Sequence, residues 1–123
     1  MEIKVLGIHG SPRNAATAQA LREALRYAEE VPGVVTQFME LRKMKISPCI
    51  HCNRCLKETE PRCPTFDDDM KQFYELIPQA DVMVLASPVY QMAASAQMHA
   101  FMNRLRPLGK LIVRGDWAKK VGV

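Results

Sequence analysis

Outside one short stretch the sequence has no cysteine at all: its four thiols all lie between Cys49 and Cys63. It has no apolar run near the ~20 residues that a membrane-spanning helix requires, so no membrane partner is expected. The opening MEIKVLGIHG lacks the basic region and long apolar stretch of a secretory signal, and it reads as a strand. The expected location is therefore cytoplasmic, where thiols stay reduced and disulfides are disfavoured. No basic stripe interleaved with aromatics and no nucleic-acid module is present, which argues against nucleic acid. Neither a Walker loop nor a G-x-G-x-x-G dinucleotide loop occurs, and there is no repeat, linker or low-complexity tract.

The chain's 123 residues suit one domain, 1–123, and are too few for two cores. Its 48% apolar and 24% charged content is ordinary for a globular protein. The net charge of +4 is unevenly spread. Arg42, Lys43, Lys45, Arg54, Lys57 and Arg62 surround the cysteines, and a second basic group runs from Arg104 to Lys120. These groups read either as solvated faces or as contacts for an anionic cofactor or acidic partner.

Apolar periodicity gives the order of elements. IKVLGI (Ile3 to Ile8) reads as a strand ending in the turn-forming HGSPRN. Ala18, Leu21, Leu25 and Ala28 fall at helical spacing, and Pro32-Gly33 closes that helix. VVTQFMEL (Val34 to Leu41) is strand-like. The cysteine segment, 46–65, follows with no periodicity of its own. Asp67 to Asp69 are expected to cap a helix with the stripe Met70, Phe73, Tyr74 and Ile77, ended by Pro78. DVMVLAS (Asp81 to Ser87) reads as a strand buried on both faces. A helix from about Ser95 to Arg106 is expected to bury Phe101, Met102 and Leu105, and KKVGV reads as the start of a further strand. Met39, Met70, Met83, Met98 and Met102 fall on apolar faces and read as core filler rather than a sulfur metal site. Strands alternating with amphipathic helices imply a parallel α/β sheet, with ligands beyond the carboxyl ends of its strands.

Two loops are expected there. GSPRNAAT joins a strand to a helix whose N-terminus suits an anion, with Ser11, Arg13 and Thr17 as further donors. The plainer reading is a turn in which Ser11 or Asn14 merely caps the helix. SPVYQMAAS is the second loop: Pro88 restrains it, amides from Val89 onward are free, and Tyr90 either packs on a flat ring or covers the core edge. Ser95 is a plausible cap for the next helix. His9 has no partner in sequence and receives no catalytic role. His51 stands among the cysteines as a further candidate metal ligand, whereas His99 reads as exposed.

The thiols are spaced C-x2-C-x2-C-x7-C and followed by proline. Four thiolates suit tetrahedral zinc. Three in one compact run plus a Cys-Pro resemble a ferredoxin-type ligand set, whose negative charge the basic neighbours would offset. Zinc, an iron–sulfur cluster and reduced thiols all remain open on spacing alone.

Together, GIHGSPR, PCIHCNRCLKETEPRCPTFDDDM and ASPVYQMAASAQMHAFMNR resemble the flavodoxin-like NADPH-dependent FMN reductases, in their iron–sulfur flavoprotein branch. The resemblance implies a flavodoxin-like three-layer sandwich with the cysteine-rich insertion between the second strand and second helix. It implies non-covalent FMN, with Ser11, Arg13, Thr17 and the less well matched Asn14 at its phosphate and Pro88, Val89 and Tyr90 along its ring. It implies a [4Fe-4S] cluster on Cys49, Cys52, Cys55 and Cys63. Family members continue past position 123, so a sheet incomplete at the C-terminus, weak FMN binding by this stretch alone and a homo-oligomer are expected. The implied activity is electron transfer between NAD(P)H or ferredoxin and an acceptor, which is either a redox partner protein or a small molecule. Its competitors are an NAD(P)H-dependent FMN or quinone reductase without a cluster, and a non-enzymatic zinc-binding interaction domain.

Overall fold

A computed structural model describes residues 1–115 and 120–122. Strand β1 (Ile3–His9) lies inside a parallel sheet because its apolar residues can be covered on both faces. Helix α1 (Ala16–Ala28) follows it and leads through Gly33 into β2 (Val34–Glu40), which pairs along the whole length of β1. Gly33 has φ 87°, and a Cβ there would lie 2.7 Å from the Met1 carbonyl oxygen, so the turn requires glycine. The cysteine segment then intervenes before α2 (Met70–Gln79) and β3 (Val82–Ala86), which pairs parallel on the other side of β1. A hairpin of β4 (Val89–Tyr90) and β5 (Ala93–Ala94) precedes α3 (Ala96–Asn103) and the short α4 (Gly109–Val113). The two-residue β6 (Val121–Gly122) pairs parallel with β3, giving the order β2-β1-β3-β6.

Alternation along β1 divides the core between the two faces of the sheet. Val5 meets Leu21 and Leu25 of α1 on one face. On the other, Leu6 and Ile8 meet α2, α3 and α4 through Phe73, Ile77, Phe101 and Leu111. Phe73 and Phe101 pack edge to face at 5.0 Å between ring centroids, a favourable geometry for the ring quadrupoles. The expected three-layer, flavodoxin-like arrangement is therefore present.

Several local expectations need correction. β3 packs on both faces but is only half-buried, because β6 pairs with no more than Val82 and Met83 among the described residues. Pro78 does not stop α2, which runs one residue further to Gln79. α3 ends at Asn103, and the chain tightens into a turn at Arg106–Leu108, where Pro107 withholds a donor. Met102, within α3, is exposed, while after the helix Arg104 is buried and Leu105 half-buried. Of KKVGV, Lys119 and Val123 lie outside the described residues.

Arg104 is buried to 2% exposure and organises the cysteine segment from beneath. Its guanidinium donates to both oxygens of Asp68, from Nη1 at 2.7 Å and Nη2 at 3.1 Å. Nη1 also donates to the Ser47 carbonyl at 2.9 Å, and the group stacks over Phe66. Asp68 takes two further bonds, from Ser47 N–H at 3.0 Å and Met70 N–H at 3.2 Å. Lys45 N–H donates to the Asp69 carboxylate at 2.6 Å, and Asp69 N–H returns to the Lys45 carbonyl at 3.0 Å. Asp68 and Asp69 therefore serve mainly to close the neck of the loop. Asp69 stands before α2 without a side-chain cap bond, and only the Asp68 bond to Met70 resembles the expected capping. Tyr74 donates to the Arg104 carbonyl at 2.8 Å, and burial pushes its phenol up to about 12.

Removing one partner of a buried ion pair strands the other, so Arg104→Met is expected to cost about 3–5 kcal/mol in urea unfolding. Burial raises the Asp68 carboxyl, but the bonds from Arg104 and the Ser47 and Met70 amides overcome it and lower its pKa below 3.8. The stabilisation is thus complete above the ordinary aspartate value and is lost as pH falls through the depressed folded value. Unfolding followed against pH checks this: Asp68→Asn should lack that acid-side loss.

Candidate functional site

The carboxyl ends of the parallel strands gather the loops singled out in the sequence. The first loop leads into α1, which is preceded by Ala15 and has no side-chain cap. Neither Ser11 nor Asn14 therefore acts as the cap that the plainer reading assumed. Ser11 is buried, and its hydroxyl accepts the Arg13 N–H at 3.1 Å. Asn14 accepts Arg22 Nη1 at 3.1 Å. The first-turn amides, including that of half-buried Thr17, retain their capacity for an anion, and exposed Arg13 can add its guanidinium.

The second loop is tied directly to the first. Gly10 N–H donates to the Ala86 carbonyl at 2.7 Å, and the Ser95 hydroxyl donates to the Gly10 carbonyl. Ser95 also caps α3 by accepting the Met98 N–H at 3.2 Å, as its sequence position suggested. A Cβ on Gly10 would lie 2.7 Å from Met98 Cε, 3.1 Å from Met98 Cβ and 3.2 Å from the Ala86 carbonyl oxygen, so a larger residue would push Met98 aside and crowd the backbone tie. Between the ties, residues 89–94 form the β4–β5 hairpin instead of a plain turn. Gln91 (φ 47°) and Met92 (φ 66°) take its left-handed tip positions, which glycine or asparagine usually fill. Val89, Tyr90 and Met92 are exposed, and Pro88 is half-buried at the base.

His9 is fully buried at the end of β1 and stacks on Phe38 at 5.9 Å. Neither ring nitrogen has a hydrogen-bond partner among the described residues. Nδ1 lies 4.0 Å from Glu40, which is its register partner on β2. The sequence offered no such carboxylate because the two are brought together only by strand pairing. Burial lowers the imidazole's pKa, the Glu40 charge opposes this, and Arg42 and Arg22 reinforce it. Glu40 in turn is held low by the Lys43 hydrogen bond, partly against burial, and by Arg42.

Cys49, Cys52, Cys55 and Cys63 are all free and line one cavity. His51 and Asn53 adopt left-handed backbone between them, with φ 57° and 62°. His51 N–H donates to Cys49 Sγ at 3.3 Å, while Cys52 Sγ and Thr65 Oγ1 lie 3.1 Å apart. That Thr65 bond, followed by an amide bond from Arg54, lowers the Cys52 thiol's pKa towards thiolate. Among the described residues no three His, Cys, Asp or Glu side chains converge on a metal-binding point. The donor chemistry nevertheless fits an anionic metal–thiolate group, since the cavity is lined by four thiols and by cationic Arg104 and Arg106. It includes none of the residues singled out in the two sheet-end loops.

Arg104, Arg106, Thr65 and Phe66 were not picked out from sequence. The basic group from Arg104 reads either as a solvated face or as contacts for an anionic cofactor or acidic partner; Arg104 is buried, and Arg106 Nη1 and Lys110 Nζ are hidden from solvent without a partner among the described residues. The proline after Arg106 is a signal that the helix ends and its residues turn inward. His99 is exposed, as expected. No helix among the described residues is long and apolar enough to cross a membrane.

Residues 3–123 match the family model described as NADPH-dependent FMN reductase. An iron–sulfur flavoprotein of Archaeoglobus fulgidus is 47% identical over 104 residues, covering 85% of this chain and 51% of the relative. One of Methanocaldococcus jannaschii is 43% identical over 108 residues, covering 86% of this chain and 53% of the relative. The chain thus spans about half the length of the curated relatives it matches. Among solved structures, a flavone reductase superposes with a TM-score of 0.67 at 24% identity, covering 94% of this chain and 35% of that one. An NAD(P)H:quinone oxidoreductase from Methanothermobacter marburgensis gives 0.64 at 18%, covering 85% and 53%. These structural likenesses carry the fold.

His9 supplies a pH test of the loop's foundation. Its pKa is depressed below 6.5, so the unfolded chain takes up a proton first as pH falls. Stability should decline from about pH 6.5 down to the folded-state value and then level off. His9→Phe is expected to flatten that part of the profile in thermal melts, and an unchanged slope would remove His9 as its source.

Proposed function

The chain belongs to the NADPH-dependent FMN reductase family, in its iron–sulfur flavoprotein branch, and from that membership we propose a flavin-dependent oxidoreductase that transfers electrons. In this reading Cys49, Cys52, Cys55 and Cys63 hold a [4Fe-4S] cluster, and the two tied loops hold FMN. The carrying observation is that all four thiols line one cavity beside cationic nitrogens that lack partners among the described residues. Bound flavin would exchange electrons in pairs or singly and the cluster singly, which suits a protein joining two-electron and one-electron carriers.

The chain's own residues have positional roles in this scheme. The uncapped α1 N-terminus, Ser11, Arg13 and Thr17 would receive the flavin phosphate, with Asn14 held by Arg22 at the margin. Pro88, Val89 and Tyr90 on the hairpin would border the ring, at a position fixed by the Gly10 and Ser95 bonds. The Arg104–Asp68 clamp would keep the thiol loop in place whether or not it is loaded. NAD(P)H or a ferredoxin-type protein would be the donor, and the acceptor would be a redox partner or a small molecule.

Anaerobic reconstitution followed by iron, sulfide and zinc assays tests the cluster. Stoichiometric iron and sulfide are expected, and each Cys→Ala change should lose or destabilise the cluster. Flavin with neither metal would support the cluster-free reductase, whereas zinc alone would support an interaction domain. Flavin titration tests the phosphate loop. Arg13→Ala is expected to weaken FMN binding by about 1.5–3 kcal/mol, the scale of a hydrogen bond to a charged group. Unchanged affinity would exclude Arg13 from the site.

A further inference from the structure

We propose that Arg106 and Lys110 are a built-in counter-charge for the group held by the four cysteines, and that they set its reduction potential. This rests on the cluster reading above. Arg106 Nη1 and Lys110 Nζ are withdrawn from solvent, and neither has a hydrogen-bond partner among the described residues. Both line a hollow walled by Cys55, and Arg106 also faces the cavity that all four cysteines share. Arg106 sits in the tight turn after α3 and Lys110 in the first turn of α4, so backbone structure holds both in position.

Among the described residues the carboxylates near these two cations are held by other arginines, although Glu58 also feels the charge of Lys110. Asp68 is bound by Arg104 at 2.7 Å, and Glu58 by Arg62 at 2.9 Å. A cationic nitrogen hidden from water without a hydrogen-bond partner is costly, and an anion held by the cysteines would offset that cost. A thiolate-bound cluster is anionic and becomes more so on reduction. Fixed positive charge beside it therefore favours the reduced form and raises the potential. Arg54 and Lys57 are also basic and near the cysteines, but both are exposed, where water and salt screen them.

The test is an EPR-monitored redox titration of the reconstituted intact protein. Arg106→Gln and Lys110→Gln are each expected to lower the reduction equilibrium constant about tenfold, the order of effect of removing one partly screened charge. That equals ~59 mV for a one-electron couple. The double variant should show the sum, while Arg106→Lys should stay near wild type and Lys57→Gln should move much less. Melting of the cluster-free protein provides a second readout. Replacing a stranded cation with a neutral amide should raise the melting temperature or leave it unchanged, and a folded variant that takes up no iron would also bear out the counter-charge.

Variants that load fully at the wild-type potential would overturn the proposal. So would a cluster-free Arg106→Gln protein that fails to fold, or a Lys57→Gln shift of equal size. If wild-type protein takes up no iron, the cluster reading itself fails and this inference with it.

Discussion

The contact between Arg104 and Asp68 is the constraint on which the cysteine-bearing half of the molecule depends. A segment of more than twenty residues with almost no regular structure runs from Lys45 to Asp69, between β2 and α2. It has too few apolar residues to hold itself down. One guanidinium, buried at the end of α3, reaches both ends of the segment through Ser47 and Asp68. The four hydrogen bonds to Asp68 make this arrangement tenable, because a carboxylate removed from water needs its lone pairs filled. A helix in one layer thereby fixes a loop that begins in another, and the thiols inherit their common cavity from that anchorage.

Charge is distributed with the same economy. Acids and bases inside the fold are mostly matched: Asp68 with Arg104, and Glu40 with Arg42 and Lys43. Among the described residues, positive groups without a hydrogen-bond partner remain in the two regions where an anionic cofactor is proposed. One is the bare N-terminus of α1, and the other is the pair of hidden cations next to Cys55. Electrostatic surplus thus tracks proposed function here more closely than exposure does.

Much of the scaffold was legible in the residues. The run from Ile3, the stripe Leu21–Leu25 and the apolar stretch from Val82 each encode an element through their own spacing, so no distant information was needed. The parallel α/β arrangement followed from alternation of strand and helix, and its flavodoxin-like form from the family resemblance. What was hidden depended on partners far apart in sequence. Arg104 meets Asp68 across 36 positions, and an arginine within a basic tail gives no local sign of burial. His9 meets Glu40 only because two parallel strands align. The β4–β5 hairpin was hidden for a different reason: Gln-Met is not a turn dipeptide, and tertiary ties through Ser87 and Ser95 override its local preference.

The close approach at Gly10 has an evolutionary and engineering corollary. Its carbonyl and amide are bound to Ser95 and Ala86, and the space where a side chain would lie is filled by Met98. The loop after the first strand and the loop after the third are consequently not independent cassettes. Grafting the hairpin from another protein, or lengthening the first loop, would separate groups that meet only in this register. The smallest transplantable unit is the pair of loops together with the start of α3, and homologous sequences should exchange variants at positions 10, 95 and 98 jointly.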